Sequence, residues 1–161
     1  KRYSLDRIAV IDFDVHHGNG TQDILWDEKR ICFISMHQFP LFPGSGTSSE
    51  TGGHNNILNI PLKPQSDGKL VKKVLEEIIL PKLTRFKPQL ILISAGFDGH
   101  ISDPLANINL TTADYKIISQ TLVNYAQSEC NNRLVSCLEG GYNLDALEES
   151  VVEHVLALME A

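Results

Sequence analysis

Cysteine is scarce in this chain: three in 161 residues, at Cys32, Cys130 and Cys137, odd in number and without CxxC spacing. Such a set supplies neither a disulfide framework nor a cysteine-rich metal cluster, and it suits a reducing, cytoplasmic setting. Cys32 and Cys137 lie inside apolar runs and read as small buried hydrophobes; Cys137 has no paired histidine that would make it a nucleophile. Basic residues are also in deficit. Fourteen Lys and Arg stand against twenty Asp and Glu, a net charge of −6. That balance argues against binding nucleic-acid backbones, which needs basic surface, and is compatible with a cationic substrate. No apolar run approaches the length of a transmembrane helix, and the opening KRYSLDRIAV holds no signal-peptide apolar region. Repeats, low-complexity tracts and domain linkers are missing as well. The length fits one domain over residues 1–161.

What the chain does have is concentrated in Ile8–Gly20, IAVIDFDVHHGNG. The apolar run Ile8–Ile11 reads as a buried strand of a parallel sheet. Asp12, Asp14 and His16 then follow at every second position. Strand periodicity would project all three from one side, at the carboxyl end where open α/β sheets bind ligands. Loop-entry residues satisfied by hydrogen bonds would look the same locally. The alternative is a divalent metal, because two carboxylates and an imidazole side by side need something positive between them. A central strand so near the start also suggests a sheet incomplete on its amino-terminal side, the chain being the carboxyl-terminal part of something larger.

Thr21–Trp26 reads as a short helix and Ile31–Met36 as a second strand. His37–His54, with two prolines and four glycines, is a long loop carrying Phe39, Leu41 and Phe42. These three either tuck beneath the loop or wall a substrate channel. Asn56–Leu62 is a third strand. Ser66 or Asp67 caps a helix with Leu70, Val71, Val74, Leu75, Ile78 and Ile79 at helical spacing, which Pro81 should kink or interrupt before Lys82–Phe86. Gln89–Ser94 is a strand ending in AGFD at Asp98. Thr111 and Asp114 form a capping box for a helix to about Glu129. Arg133–Leu138 is the last strand, followed by Glu139-Gly140-Gly141-Tyr142. An amphipathic helix closes the chain from about Leu144, using Leu147, Val151, Val155 and Met159. Strands alternating with helices predict a parallel α/β sheet covered on both faces.

Three strand ends thus deliver Asp12, Asp14 and His16, then Asp98, then Tyr142 to one edge. Three protein ligands with an open position is the pattern of a catalytic zinc, although oxygen-rich ligation also accepts Fe²⁺, Co²⁺ or Mn²⁺. Two carboxylates cancel the metal's charge, so such a site leans on a separate general base and on an oxyanion donor, for which Tyr142 is suited.

The strings IDFDVHHGNGTQ, SAGFDGH with DPL, and LEGGYNL together resemble the zinc-dependent histone deacetylase family, including its acetylpolyamine and acetoin-utilisation relatives. The likeness runs from about Arg7 to Leu147. It implies the arginase/deacetylase fold, zinc ligands Asp14, His16 and Asp98, and Tyr142 polarising the acyl carbonyl while zinc-bound water attacks it. It further implies that Asp12 accepts a hydrogen bond from a catalytic histidine and, with Ser35, helps bind a structural K⁺. Asn19 takes the position that orients a second catalytic histidine. Phe42, Leu105 and Gly140 fall where the family's acyl-lysine tunnel runs, ordinary packing being the other reading of Ser35 and Leu105. Substrates would be acetyl-lysine peptides, acetylated polyamines or small acylated amines.

One departure stands out. The family's base is an adjacent histidine pair upstream of the metal strand, and the only adjacent pair here, His16-His17, belongs to the metal motif. The expectation is therefore an amidohydrolase chain whose base lies in a missing amino-terminal half or in an oligomeric partner. The alternative is a non-catalytic fragment that binds metal or ligand and completes a partner. A binuclear manganese ureohydrolase is disfavoured, since Asp98 has no close acidic neighbour before Asp103. His17 is expected to be structural and His154 to lie on the surface.

Overall fold

The computed structural model describes residues 5–160. Five strands form one parallel sheet: β1 (Ile8–Asp12), β2 (Ile31–Gln38), β3 (Ile57–Leu62), β4 (Leu90–Ala95) and β5 (Leu134–Leu138), in the order β3-β2-β1-β4-β5. β1 lies at the centre, where its apolar run is paired on both edges. The helices are α1 (Asn19–Leu25), α2 (Gly68–Val74), α3 (Leu80–Phe86), α4 (Thr112–Glu129) and α5 (Leu144–Met159). None of the described helices is long and apolar enough to cross a membrane.

The two faces of the sheet differ. Ala9, Ile11, Cys32, Ile34, Ile91 and Ile93 pack against α2, α3 and α4, with Leu83, Tyr115 and Leu122 fully buried among them. Val10, Phe33 and Ile57 face the other way, where Leu25 of the short α1 covers them. Over β5 that second face is left uncovered among the described residues, with Val135 and Cys137 exposed.

Several expectations meet their limits here. β2 runs on to Gln38, so His37 is a strand residue rather than the start of the loop. Cys137 is exposed, not core, because β5 is an edge strand and its apolar run is left half-uncovered, with Val135 and Leu138 also exposed. His154 is buried, not superficial. Its Nδ1 bonds Ser119 Oγ at 2.7 Å and its Nε2 bonds Ser136 Oγ at 2.8 Å. Since Ser119 donates its own proton to Tyr115 O, His154 carries hydrogen on Nδ1 and accepts from Ser136. Burial pushes this imidazole below its ordinary pKa. α5 accordingly buries Ala146, Ser150, His154 and Ala157, leaving Val155 and Met159 exposed.

Asp67 caps α2 by accepting from Leu70 N, and Asp114 accepts from the backbone N–H and hydroxyl of Thr111 at the start of α4. Between α2 and α3 the interruption expected at Pro81 takes the form of a π-helical turn, Leu75–Ile79, in which Leu80 N reaches Leu75 O. Proline lacks an N–H, and its ring crowds the carbonyl four residues back; a widened preceding turn accommodates both. Val71, Val74, Leu75 and Ile79 are buried along this segment, while Leu70 and Ile78 stay exposed.

Candidate metal centre

The carboxyl ends of β1, β4 and β5 share one edge, and the candidate residues collect there. β1 ends at Asp12, so Asp14 and His16 converge through the bend that follows rather than through strand alternation. The outcome is still a cluster. Asp14, His16 and Asp98 offer ligand atoms that all lie within 4.8 Å of one another. His16 Nδ1 faces both carboxylates, 3.1 Å from Asp14 Oδ1 and 3.0 Å from Asp98 Oδ2. The second oxygens are held by backbone: Val15 N donates to Asp98 Oδ1 at 2.9 Å, and Gly140 N to Asp14 Oδ2 at 2.8 Å.

Two glycines make this approach feasible. A Cβ at Gly140 would overlap the Asp98 and Asp14 carboxylates, and one at Gly96 would overlap Asp14 itself. Asp98 is fully buried. Burial first, and then the charge of Asp14, push its carboxyl up to about 7, against the opposing pull of Val15 N and His16. Asp12 is raised well above the ordinary carboxylate range for the same reasons, burial and then Asp14. Carboxylates that resist joint ionisation in a buried corner, with an imidazole nitrogen between them, fit a divalent cation, which would relieve the repulsion.

A cavity of about 460 Å³ opens over the cluster. Asp14, His16 and Gly140 form part of its floor, and Phe42, Leu105 and Tyr142 stand at its mouth, all three exposed. The Tyr142 ring meets the His16 ring edge-on at 6.5 Å. Burial, then the charges of Asp98, Asp14 and Asp103, raise the phenol's pKa, so it remains a proton donor. Phe42 is therefore a cavity residue, whereas Leu41 packs partly against the core.

Besides the buried Asp98, two sequence candidates lie off the cavity wall. Asn19 is exposed at the first turn of α1. Ser35 is fully buried opposite Asp12 in the β1–β2 register. His37 Nε2 bonds the carbonyl of Gly46 at 3.0 Å and so carries the proton; its Nδ1 accepts from Ser35 Oγ at 2.9 Å. The Ser35 lone pairs are thereby left available to a further donor or cation. His17 is tied down by Ser45 Oγ at 2.8 Å and Gln22 Oε1 at 3.0 Å, in keeping with a structural role.

Sequence reasoning overlooked Glu139 and Ser94, which line the cavity and bond each other at 3.2 Å, and Asp103, which accepts from the backbone of Tyr142 and Asn143. The position of Glu139, immediately before the Gly-Gly pair, was the available signal.

Residues 1–158 match the histone deacetylase domain. Histone deacetylase 14, chloroplastic, of Arabidopsis thaliana is 45% identical over 162 residues, spanning 99% of this chain and 38% of that protein. The histone deacetylase-like amidohydrolase of Pseudomonas aeruginosa is 38% identical, spanning 88% of this chain and again 38% of the relative. The solved HDA15 HD domain superposes with a TM-score of 0.90 at 31% identity, over 98% of this chain and 46% of that one. The sheet is thus that of the arginase/deacetylase fold, present in part, and this chain belongs to the histone deacetylase family.

Proposed function

We propose that this chain carries the metal centre and the oxyanion donor of a zinc-dependent deacetylase acting on acetyl-lysine or another acylated amine. The observation that carries the reading is the convergence of Asp14, His16 and Asp98 beneath a cavity with Tyr142 at its mouth. Asp14, His16 and Asp98 hold Zn²⁺, or Fe²⁺ or Co²⁺ in its place. When bound, the ion supplies Lewis acidity and an acidified water. Tyr142, kept protonated, donates a hydrogen bond to the acyl oxygen as negative charge develops there. Phe42 and Leu105 flank the methylenes of an acyl-lysine or acetylated polyamine, and the missing side chain at Gly140 leaves them room. Asp12 and Ser35, opposite each other in the sheet, serve a K⁺ ion, and Asp12 together with Asn19 orients imidazoles supplied from elsewhere.

The base is proposed to come from a further segment, of a longer polypeptide or of a partner, that pairs with the exposed edge of β5. Among the described residues that edge has no strand partner; Val135 and Leu138 are more than half exposed, at 51% and 62%, and unpaired apolar edges are rarely left so. The engagement of His17 by Ser45 and Gln22 favours a second reading for the chain by itself: it binds metal and ligand without turnover.

Zinc titration and peptide hydrolysis test the proposal together. The expected result is one zinc per chain, with affinity at least about 100-fold weaker in Asp98→Asn. Any turnover of an acetyl-lysine peptide, alone or with the complementing segment, should be lost in Tyr142→Phe. Zinc affinity indifferent to Asp98→Asn would overturn the metal centre.

A further inference from the structure

Asp103 belongs to neither the ligand set nor the cavity wall, yet it is a carboxylate only 7% exposed. Its two oxygens receive three backbone N–H groups. Leu105 N donates to Oδ1 at 3.0 Å, while Tyr142 N and Asn143 N donate to Oδ2 at 2.7 and 3.2 Å. The first bond is a local turn of the kind Asp makes anywhere. The other two reach across 39 and 40 residues of chain to the backbone of the tyrosine at the cavity mouth.

Tyr142 needs such an anchor. It follows Gly140-Gly141, and Gly141 has φ of +146°, a conformation that glycine adopts readily; two successive glycines restrict the backbone before Tyr142 less than any other residues would. On the other side Asn143 is fixed: it caps α5 by accepting from Ala146 N, and its amide donates to Ser102 O, next to Asp103. An ionised carboxylate at the start of α5 is also favoured by the helix dipole. Charge-assisted bonds from backbone N–H groups are about twice as strong as neutral ones.

We propose that Asp103 is the positioning residue that holds Tyr142 over the metal centre, its second oxygen clamping the backbone that the two glycines would otherwise let move. The proposal rests on the functional reading above for what Tyr142 does, but not for where Tyr142 sits. An asparagine cannot replace the carboxylate, because either orientation turns an NH₂ group toward an N–H donor.

The test uses this chain with Asp103→Asn and, as a second variant, Asp103→Ala. The first readout is the NMR cross-peak between the Tyr142 and His16 rings, with the core pair Phe13–Phe97, at 6.1 Å, as the folding control. Both variants should weaken the first cross-peak and keep the second. Zinc affinity should stay within about twofold, because no ligand is touched. The zinc-loaded variants should bind an Nε-acetyl-lysine peptide about tenfold more weakly. In a Tyr142→Phe background Asp103→Asn should add less than about twofold to the loss. An undiminished Tyr142–His16 cross-peak, or losses that multiply independently of Tyr142→Phe, would overturn the assignment. If the parent chain binds no acyl-lysine peptide, the substrate reading falls, and the ring cross-peak alone decides the role of Asp103.

Discussion

The two faces of one sheet have been given opposite work. Along β1, Ala9 and Ile11 enter the helix-packed side, while Val10 and Asp12 turn to the side covered by α1. The same register that puts Ile34 and Ile93 into the large core sets Ser35 and Ser94 beside Asp12 on the other face. Asn59 continues that polar row on β3, bonded to Gln22. Burial on the first face is mainly apolar and non-specific in direction, the His154–Ser119–Ser136 group apart. On the second, beyond the small Val10–Phe33–Ile57 cluster, it is polar and depends on each donor finding its acceptor. The large core and the polar row beside Asp12 thus lie on different faces, although they share every strand.

The largest expected effect tests that separation directly. Leu122→Ala, on the fully buried face of α4, should cost about 3 kcal/mol in urea denaturation. It should leave the zinc affinity of the folded chain unchanged; a parallel loss would show that the faces are coupled.

A pH series sharpens the contrast. Burial, then the neighbouring His17, hold His37 down to about 4. Its folded pKa lies below the ordinary 6.5, so the stability that its neutral form contributes is full above about 6.5 and drains away as pH falls toward 4. The limit is ~3 kcal/mol. Asp98 runs the other way. Its folded pKa is raised, so in the metal-free chain its contribution is present at low pH and is lost as pH rises through about 7. Urea midpoints from about pH 4 to about pH 8 should lose their rising component in His37→Gln and their falling component in Asp98→Asn. Zinc should therefore raise the melting temperature more above pH 7 than below it.

The smallest effect belongs to the periphery. Asp67→Ala removes the cap of α2 and should cost about 1 kcal/mol, again read by urea. A loss exceeding that of Leu122→Ala would reverse the proposed ranking of core over surface.

Much of this was legible in the residues. Apolar runs gave all five strands within a few positions, and cap chemistry at Ser66 or Asp67, of which Asp67 is the cap, and at Thr111 gave helix starts, because those signals are local. The convergence of Asp14, His16 and Asp98 was legible because parallel strands share their carboxyl edge. What escaped depends on partners distant in sequence. His154 looks like a surface residue of an amphipathic helix until Ser119 and Ser136 meet it. Cys137 sits in an apolar run whose exposure is decided by the absence of a neighbour beyond β5 among the described residues. Asp103 resembles an ordinary turn residue, and only the arrival of Tyr142 and Asn143 distinguishes it.

The bond from Gly140 N to Asp14 closes a span of 126 residues, and that from Val15 N to Asp98 a span of 83. No short piece of this chain can therefore assemble the three ligands. Loops of that length must close before their contacts reward them, which makes parallel topologies slow to form. Competence to bind a metal should accordingly arrive at the end of folding, in step with the slowest phase. A coloured ion such as Co²⁺, added during refolding, would then act as a clock for completion of the topology: its absorption should appear only once the first and last strands have found the same edge.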